Sequence, residues 1–330
     1  MDEEHRQPGE SRLETFLLDS AALPRRRHRW WPRLLLLAVL ATILLCAWWS
    51  RQPEAPDVAQ VTAGLGRQAA VPGAVSVATV IDTVRVLLEK PGGFTANDAL
   101  PPGVLLDDMP AFENGALQAV RDYLLALRRD FSRAETQFVE DPDLVRAESR
   151  LLFDSSSWLV PPAEGEYQDG MQVLARYLAR LVDAPQPGAR FHPRADNLAR
   201  WLSDVGQRLD RYGRDLVASG TGNAAWSDID NGFFAARGYC WALRVQLLAA
   251  EHDFAPVLAP EDRQLLADAV RALDGTQSGL SSPVILNGSE YGLLANHSLV
   301  LAGHVTRAAV ALGALRARLS TAAARGAVEY

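Results

Sequence analysis

One apolar run near the N-terminus constrains this chain more than any other feature. From Leu34 to Trp49, Thr42 is the only polar residue among sixteen. At a rise of 1.5 Å per residue the run falls short of a hydrocarbon core of ~30 Å. Adding Trp30 and Trp31 extends the segment to about twenty residues, and tryptophan at both ends is typical of the two membrane–water interfaces. The run therefore predicts a transmembrane helix.

The predicted membrane segment covers residues 34–50, and the chain is expected to contact the lipid bilayer through residues 30–50. The side chains expected to anchor it are Trp30, Trp31, Leu34, Leu37, Leu40, Leu44, Trp48 and Trp49. A buried core helix is a weaker interpretation because the run has no polar face. A cleaved signal peptide is also less favoured, since a polar tail precedes the basic residues and no small-residue cleavage site follows the run.

The arginines around the run predict its orientation. Five of them lie between residues 25 and 33, while only Arg51 follows closely. Because positive charge is retained in the cytoplasm, we expect a cytoplasmic tail over residues 1–33 and an exported body. The sequence thus predicts a single-pass membrane protein with its N-terminus in the cytoplasm and its C-terminal body exported.

Charge and cysteine content limit the partners of the body. Residues 1–51 carry a net charge of +2, which leaves −9 for residues 52–330 of the overall −7. An acidic body argues against nucleic acid, whose phosphates require clustered Lys or Arg. Cys46 and Cys240 are far apart in the sequence, so no intrachain disulfide is expected between them.

The hydrophobic pattern predicts an all-α body. Residues 51–73 are small, polar and punctuated by Pro and Gly, and predict a linker, while residues 74–330 predict one helical domain. Residues 91–115 predict a long loop. The fold class is therefore all-α, one transmembrane helix followed by a bundle of about seven or eight helices. The predicted helices of the body cover residues 74–90, 114–135, 142–153, 163–183, 195–219, 226–254, 259–273 and 292–324.

Six strings of this sequence, in this order and spacing, resemble a bacterial family catalogued as domain of unknown function 2333. They are PGGFTAND (91–98), LLDDMPAFENGALQAVRDYLLALRRDFSRA (105–134), SSWLVPPAEGEYQDG (156–170), ARFHPRADNLARWL (189–202), FFAARGYCWAL (233–243) and SSPVILNGSEYGLLANHSLVLAGH (281–304). The resemblance covers roughly residues 70–320. It implies a protein of the Gram-negative bacterial inner membrane with one N-terminal span, so that the exported body is expected in the periplasm. It implies no activity and no catalytic residues.

The stretch VILNGSEYGLLANHSLVLAGH (284–304) concentrates polar residues within an apolar background. Its candidates for chemistry are His297 with Glu290 or Tyr291. His297 and His304 lie seven residues apart, about 10 Å along a helix, which is too far for one metal ion. The favoured interpretation is a helix start with a core histidine, and a functional His297 is the alternative.

Three further features have both a structural and a functional interpretation. Arg237 and Arg244 follow Asp230 at seven-residue intervals, which predicts an ion-pair network or, alternatively, a pocket for an acidic partner. Trp158 lies in a Pro-rich loop that can border a groove. Residues 251–253 (Glu-His-Asp) predict a polar helix end rather than a triad, because adjacent helical residues point in different directions.

Two functions follow as hypotheses. The first is a binding or scaffolding module of the cell envelope with a possible protein partner. The second is a membrane-tethered, hydrolase-like enzyme that uses His297 with Glu290 or Tyr291. The sequence contains no P-loop, GxGxxG, GxSxG, CxxC or HExxH motif. No cofactor and no metal site are predicted, and the sequence does not indicate an oligomeric state.

Overall fold

The structure is a computed structural model that describes residues 30–133, 139–183, 189–221, 226–279, 285–287 and 295–328. The chain divides into two units, residues 1–45 and 46–330. The described residues form no β-strand, which confirms the all-α prediction. Their α-helices are α1 Trp31–Trp49, α2 Val58–Leu65, α3 Ala74–Glu89, α4 Asp108–Ala126, α5 Pro142–Leu151, α6 Ala163–Val182, α7 Ala195–Gly220, α8 Trp226–Asp253, α9 Pro260–Thr276 and α10 His297–Val328.

Helix α1 is apolar on all sides and has no buried side chain. Trp30 stacks on Trp31 with ring centroids 4.5 Å apart. By length and composition alone, α1 and residues 297–324 of α10 are each apolar enough to cross a membrane. Because nearly half of the α10 segment is buried and packs on α7 and α9, α10 is a core helix of the body. Most of the predicted cytoplasmic tail, residues 1–29, lies outside the described residues.

The eight predicted body helices are present in the described residues, and one of them begins earlier than expected. Helix α4 starts at Asp108, inside the stretch predicted as a loop over residues 91–115. Asp107 caps this end by accepting a hydrogen bond from the N–H of Asp108 at 3.1 Å. Pro110 lies in the first helical turn, where its missing N–H breaks no hydrogen bond. The proline that suggested a loop is therefore compatible with a helix start.

The predicted linker over residues 51–73 needs correction, because much of it is helical. Asp57 caps α2 by accepting a hydrogen bond from the N–H of Ala59 at 2.9 Å, and Gly66 ends the helix with φ +56°. A 3₁₀ helix, Gly66–Ala70, is followed by a turn over residues 71–73 that leads into α3. Helix α2 contacts α3 and α8, so this segment is a folded part of the body.

Helix α8 is the centre of the body. It contacts α2, α3, α4, α7, α9 and α10. Nearly every side chain from Ala236 to Ala250 is buried. An amphipathic face would leave one side exposed, so burial on all sides marks a helix surrounded by others.

Aromatic rings fill the core beside the end of α8. Phe131 contacts four of them, with centroid distances of 5.2 Å to Phe254, 5.3 Å to Phe191, 5.8 Å to Tyr123 and 6.2 Å to Trp201. Edge-to-face pairs at these distances stabilise a core beyond the area they bury. Phe131 is presented by a π-helical turn, Leu127–Phe131, that continues α4.

Candidate functional site

A groove with a volume of about 1090 Å³ lies between α2, the C-terminal half of α8 and the start of α9. Its apolar lining comes from small side chains of α2 and the preceding turn, together with Leu248 of α8. Helix α2 has no buried side chain of its own. The polar residues that line the groove are Asp57, Thr62, Arg244, Glu251, His252 and Arg263.

Two arginines supply positive charge to the groove. Arg244 forms an ion pair with Asp274 of α9, and both side chains are partly exposed. Such surface pairs contribute only about 0–1 kcal/mol and exchange readily. Arg263 donates one hydrogen bond, to the carbonyl oxygen of Ala255 at 3.1 Å. A guanidinium has five N–H donors, so both arginines retain capacity to bind a carboxylate.

The polar end of α8 has one face in the groove and one in the core. His252 Nδ1 lies 3.4 Å from Asp253 Oδ1, and Asp253 also accepts a hydrogen bond from the N–H of Ser76 at 2.7 Å. Burial raises the pKa of Asp253, against the lowering effect of those hydrogen bonds. Asp253 thus joins α8 to α3, while Glu251 and His252 face the groove.

Arg237 lies outside the groove, where it holds the segment that follows α1. Its guanidinium donates to Gln52 Oε1 at 2.9 Å and to the carbonyl oxygens of Ser278 at 2.9 Å and Gln277 at 3.0 Å. Burial lowers its pKa. The expected carboxylate partner is therefore present for Arg244 but not for Arg237, which uses amide oxygens instead. The third member of the predicted network, Asp230, receives a hydrogen bond from the N–H of Ile285.

His297 makes two contacts with one residue of the preceding segment. Its Nδ1 accepts a hydrogen bond from the N–H of Leu286 at 3.0 Å, and its own N–H donates to the Leu286 carbonyl at 2.8 Å. A neutral imidazole that accepts at Nδ1 carries its proton on Nε2. In this arrangement neither ring nitrogen has a lone pair available to act as a general base. Glu290 and Tyr291, its expected partners, lie outside the described residues.

Two asparagines beside His297 close the start of α10. Asn296 caps the helix by accepting a hydrogen bond from the N–H of Leu299 at 2.9 Å. It also donates to the carbonyl oxygen of Gly220 at 3.1 Å, and Asn287 donates to that of Ser219 at 3.3 Å. These polar residues join the start of α10 to the end of α7, and the helix begins at His297, later than the predicted start at residue 292.

Trp158 lies away from the groove as well. It is 45% exposed, in the loop between α5 and α6, next to Leu159 and Val160. The structure thus places one of the six predicted candidates, Arg244, in the groove. Thr62 and Arg263 were not among the predicted candidates, and His252 was assigned to a polar helix end. The sequence signal for this side of the groove was Asp57, a typical N-cap residue, followed by apolar residues at helical spacing over 58–65.

Comparison with known proteins gives one match. The profile of a family described as an uncharacterised protein conserved in bacteria, domain of unknown function 2333, matches residues 25–224 and 217–322. A search of curated proteins and a search of solved structures each gave no match. The matched region begins well before residue 70 and so includes the apolar helix. The chain therefore belongs to this bacterial family of domain of unknown function 2333.

Proposed function

We propose that this chain is a single-pass inner-membrane protein whose periplasmic helical body binds a protein partner of the cell envelope through the α2–α8 groove. The membrane part of the proposal is supported by the length of α1, its apolar surface and the tryptophans at both ends. The arginines that precede α1 support a cytoplasmic N-terminus. Membership of a bacterial family is consistent with this location.

The observation that carries the proposal is the groove itself. Its volume of about 1090 Å³ slightly exceeds the ~300–1,000 Å³ typical of small-molecule pockets. A second cavity, of about 440 Å³, borders α2 on its α3 side. A short helix without buried side chains, bordered by cavities on two sides, leaves apolar surface for another polypeptide segment to cover.

Charge indicates the kind of segment. Arg244 and Arg263 place two guanidinium groups at the groove, and each can bind a carboxylate in bidentate geometry. An incoming carboxylate would replace Asp274 as the partner of Arg244. We therefore expect an amphipathic segment with small apolar side chains and at least one Asp or Glu.

The test is site-specific photo-crosslinking of the full-length protein in cells. A photoreactive residue at Ala63, on the exposed groove side of α2, is expected to give a discrete protein adduct. The control is the same residue at Val310, which is exposed on α10. The double substitution Arg244→Glu and Arg263→Glu should abolish the Ala63 adduct. Absence of an adduct, or an adduct that persists in the double variant, would contradict the proposal.

Topology is tested separately with reporters at the C-terminus. Alkaline phosphatase, which is active only after export, should be active when fused after residue 330. A cytoplasmic fluorescent protein at the same position should be dark. The opposite pattern would place the body in the cytoplasm and overturn the orientation without bearing on the groove.

The enzymatic alternative has less structural support. His297 does not line the α2–α8 groove, the cavity on the α3 side of α2 or the cavity between α7 and α10. Its hydrogen bond from Leu286 also opposes a role as general base. The geometry therefore favours binding over hydrolysis at His297.

A further inference from the structure

Two loops of the body present apolar side chains to solvent. We define the loop-tip patch as the exposed apolar residues of loops 98–106 and 154–162. Four of its side chains are more than 60% exposed, and Val160 reaches 96%. Residues 99–106 and 155–163 contain no charged residue. The members of the patch are Leu100, Val104, Leu105, Trp158, Leu159 and Val160.

Hydrogen bonds hold the two loops side by side. The side-chain amide of Asn97, at the base of the first loop, donates to the carbonyl oxygen of Ser157 in the second at 2.9 Å. It also donates to Glu164 Oε2 at 2.7 Å, at the start of α6. Asn97 is buried, so this connection is shielded from water. The two loops that carry the apolar side chains are therefore neighbours on the surface of the body.

The same region contacts the last turn of α1. The Sγ of Cys46 lies 3.9 Å from the carbonyl oxygen of Pro102, in the middle of the first loop. The ring of Trp49 packs on Gly92, where an added Cβ would lie 2.6 Å from Trp49 Cδ2. Both contacts are made within residues 46–330.

These contacts place the first loop beside the last turn of α1, residues 46–49. Cys46 precedes Trp49 by three residues, or about 4.5 Å of helix rise. Tryptophan at the end of a spanning helix lies at the level of the lipid headgroups. A loop beside Cys46 then lies at the interface or just below it, where exposed leucine and valine contact lipid rather than water.

We infer that the loop-tip patch inserts into the outer surface of the bilayer next to the end of α1. This inference rests on the proposed membrane span. Soluble proteins rarely leave large contiguous apolar patches exposed, and the adjacent bilayer supplies the cover that this patch lacks. Trp158 is the residue type most typical of such an interface.

Charge around the patch predicts which lipids are needed. Asp98 and Asp154 are the first residues of the two loops, Asp107 follows the first loop, and no Lys or Arg lies within either loop. Insertion is therefore apolar in origin and does not require anionic lipid. Replacing part of the phosphatidylcholine by phosphatidylglycerol should leave insertion unchanged or weaken it.

The experiment places an environment-sensitive fluorophore on single cysteines in the full-length chain, in a Cys46→Ser background. The endogenous Cys240 is retained because it is buried, and burial raises its pKa to about 12, which keeps it unreactive. The patch positions are Leu105→Cys and Leu159→Cys. Val310→Cys is the exposed control, and Leu37→Cys reports on α1. Each variant is placed in phosphatidylcholine nanodiscs with one chain per disc.

At Leu105 and Leu159, quenching by aqueous iodide should be about threefold weaker than at Val310, and quenching by spin-labelled lipid about threefold stronger. Equal quenching at the patch and at Val310 overturns the inference. Protection from iodide without quenching by lipid overturns it too, and indicates cover by protein. If Leu37 itself is not quenched by lipid, the proposed span fails; if Leu37 is quenched and the patch is not, only the insertion fails.

Discussion

The ammonium of Lys90 lies 2.8 Å from Glu113 Oε1, and both side chains are completely buried. Lys90 is the only lysine of the chain. Glu113 also accepts hydrogen bonds from the N–H of Thr95 at 3.0 Å and the N–H of Ala96 at 2.8 Å. Burial raises the pKa of Glu113 to about 7, although Lys90 and Thr95 act to lower it. The pair joins the end of α3 to α4 and holds the turn that begins the first loop.

We predict that Glu113→Gln destabilises the body by about 3–5 kcal/mol at pH 8, because it leaves the Lys90 ammonium buried without a counter-charge. Adding Lys90→Met should recover much of this loss, because it removes the unpaired charge. The side-chain carbonyl oxygen of the introduced glutamine can still accept hydrogen bonds from the N–H groups of Thr95 and Ala96. Thermal unfolding in nanodiscs measures the stability of the single and the double variant. Equal stability of the single and double variants would contradict the prediction.

The sole lysine provides a second readout of the same pair. In the native protein an amine-reactive reagent should leave Lys90 unmodified, while Glu113→Gln should increase its modification through more frequent opening. The surface pair of Asp82 and Arg85 provides the matched control. Asp82→Asn should cost less than about 1 kcal/mol and leave Lys90 protected.

Arg237 determines whether the segment after α1 is held on the body. Arg237→Ala removes donors to Gln52, Gln277 and Ser278, and we expect a cost of about 2–4 kcal/mol. Hydrogen exchange should accelerate over residues 51–57 and 277–279. Arg271→Ala removes an exposed ion pair with Asp268 and should change neither the stability of the body nor the hydrogen exchange of these two segments. Unchanged exchange at residues 51–57 in Arg237→Ala would show that other contacts hold the segment.

Asp108 gives the body a defined pH dependence. Burial, followed by the nearby carboxylates of Asp230 and Asp107, raises the pKa of Asp108 from 3.8 to about 7. The folded state binds this proton more tightly than the unfolded chain. The stability it contributes is therefore fully present below pH 3.8 and is lost as the pH rises through about 7.

Asp108→Asn should accordingly stabilise the body at pH 8, by an amount on the order of 1 kcal/mol because the side chain is only partly buried. At pH 4 the same variant should differ little from the wild type. Unfolding temperatures at the two pH values measure this. Asp215→Asn, which removes an exposed charge on α7, should show no such dependence. If Asp108→Asn stabilised the body as much at pH 4 as at pH 8, the ionisation of Asp108 would not be the cause.

The helices were predictable because each long element carries its own periodic signal. Asp141 and Pro142 show this locally: Asp141 caps α5 by accepting from the N–H of Asp143 at 2.9 Å, with Pro142 in the first turn. Helix α2 was not predicted because its helical pattern extends over only eight residues and lies in a segment punctuated by Pro and Gly. Its helical state depends on packing against α3 and α8.

The candidate site was much less predictable than the fold. The groove combines Thr62 with Arg244 and Arg263, residues that packing brings together from about 200 positions apart in the chain. Conversely, the polar residues around His297 are close in sequence but serve a helix start. The polar residues around His297 are dense in the sequence because they cap a helix. The α2–α8 groove forms by packing of distant segments, which no local sequence pattern predicts.

The closest approach of α4 and α8 depends on two glycines. A Cβ on Gly115 would overlap the carbonyl oxygen of Ala235, and a Cβ on Gly238 would overlap that of Phe112. These are backbone atoms, so relief requires the two helices to separate. Because α8 is the central helix, separation also disturbs the packing of the core around it.

We therefore expect Gly115→Ala and Gly238→Ala each to destabilise the body by about 3 kcal/mol or more. Gly206→Ala in α7 is the matched control, since a Cβ there meets no atom within 4 Å. Alanine has the higher helix propensity, so the control should gain up to about 1 kcal/mol. In thermal unfolding, the change in stability should therefore be negative for Gly115→Ala and Gly238→Ala and positive for Gly206→Ala. A gain in stability for Gly115→Ala similar to that for Gly206→Ala would show that α4 and α8 are not in backbone contact at this point.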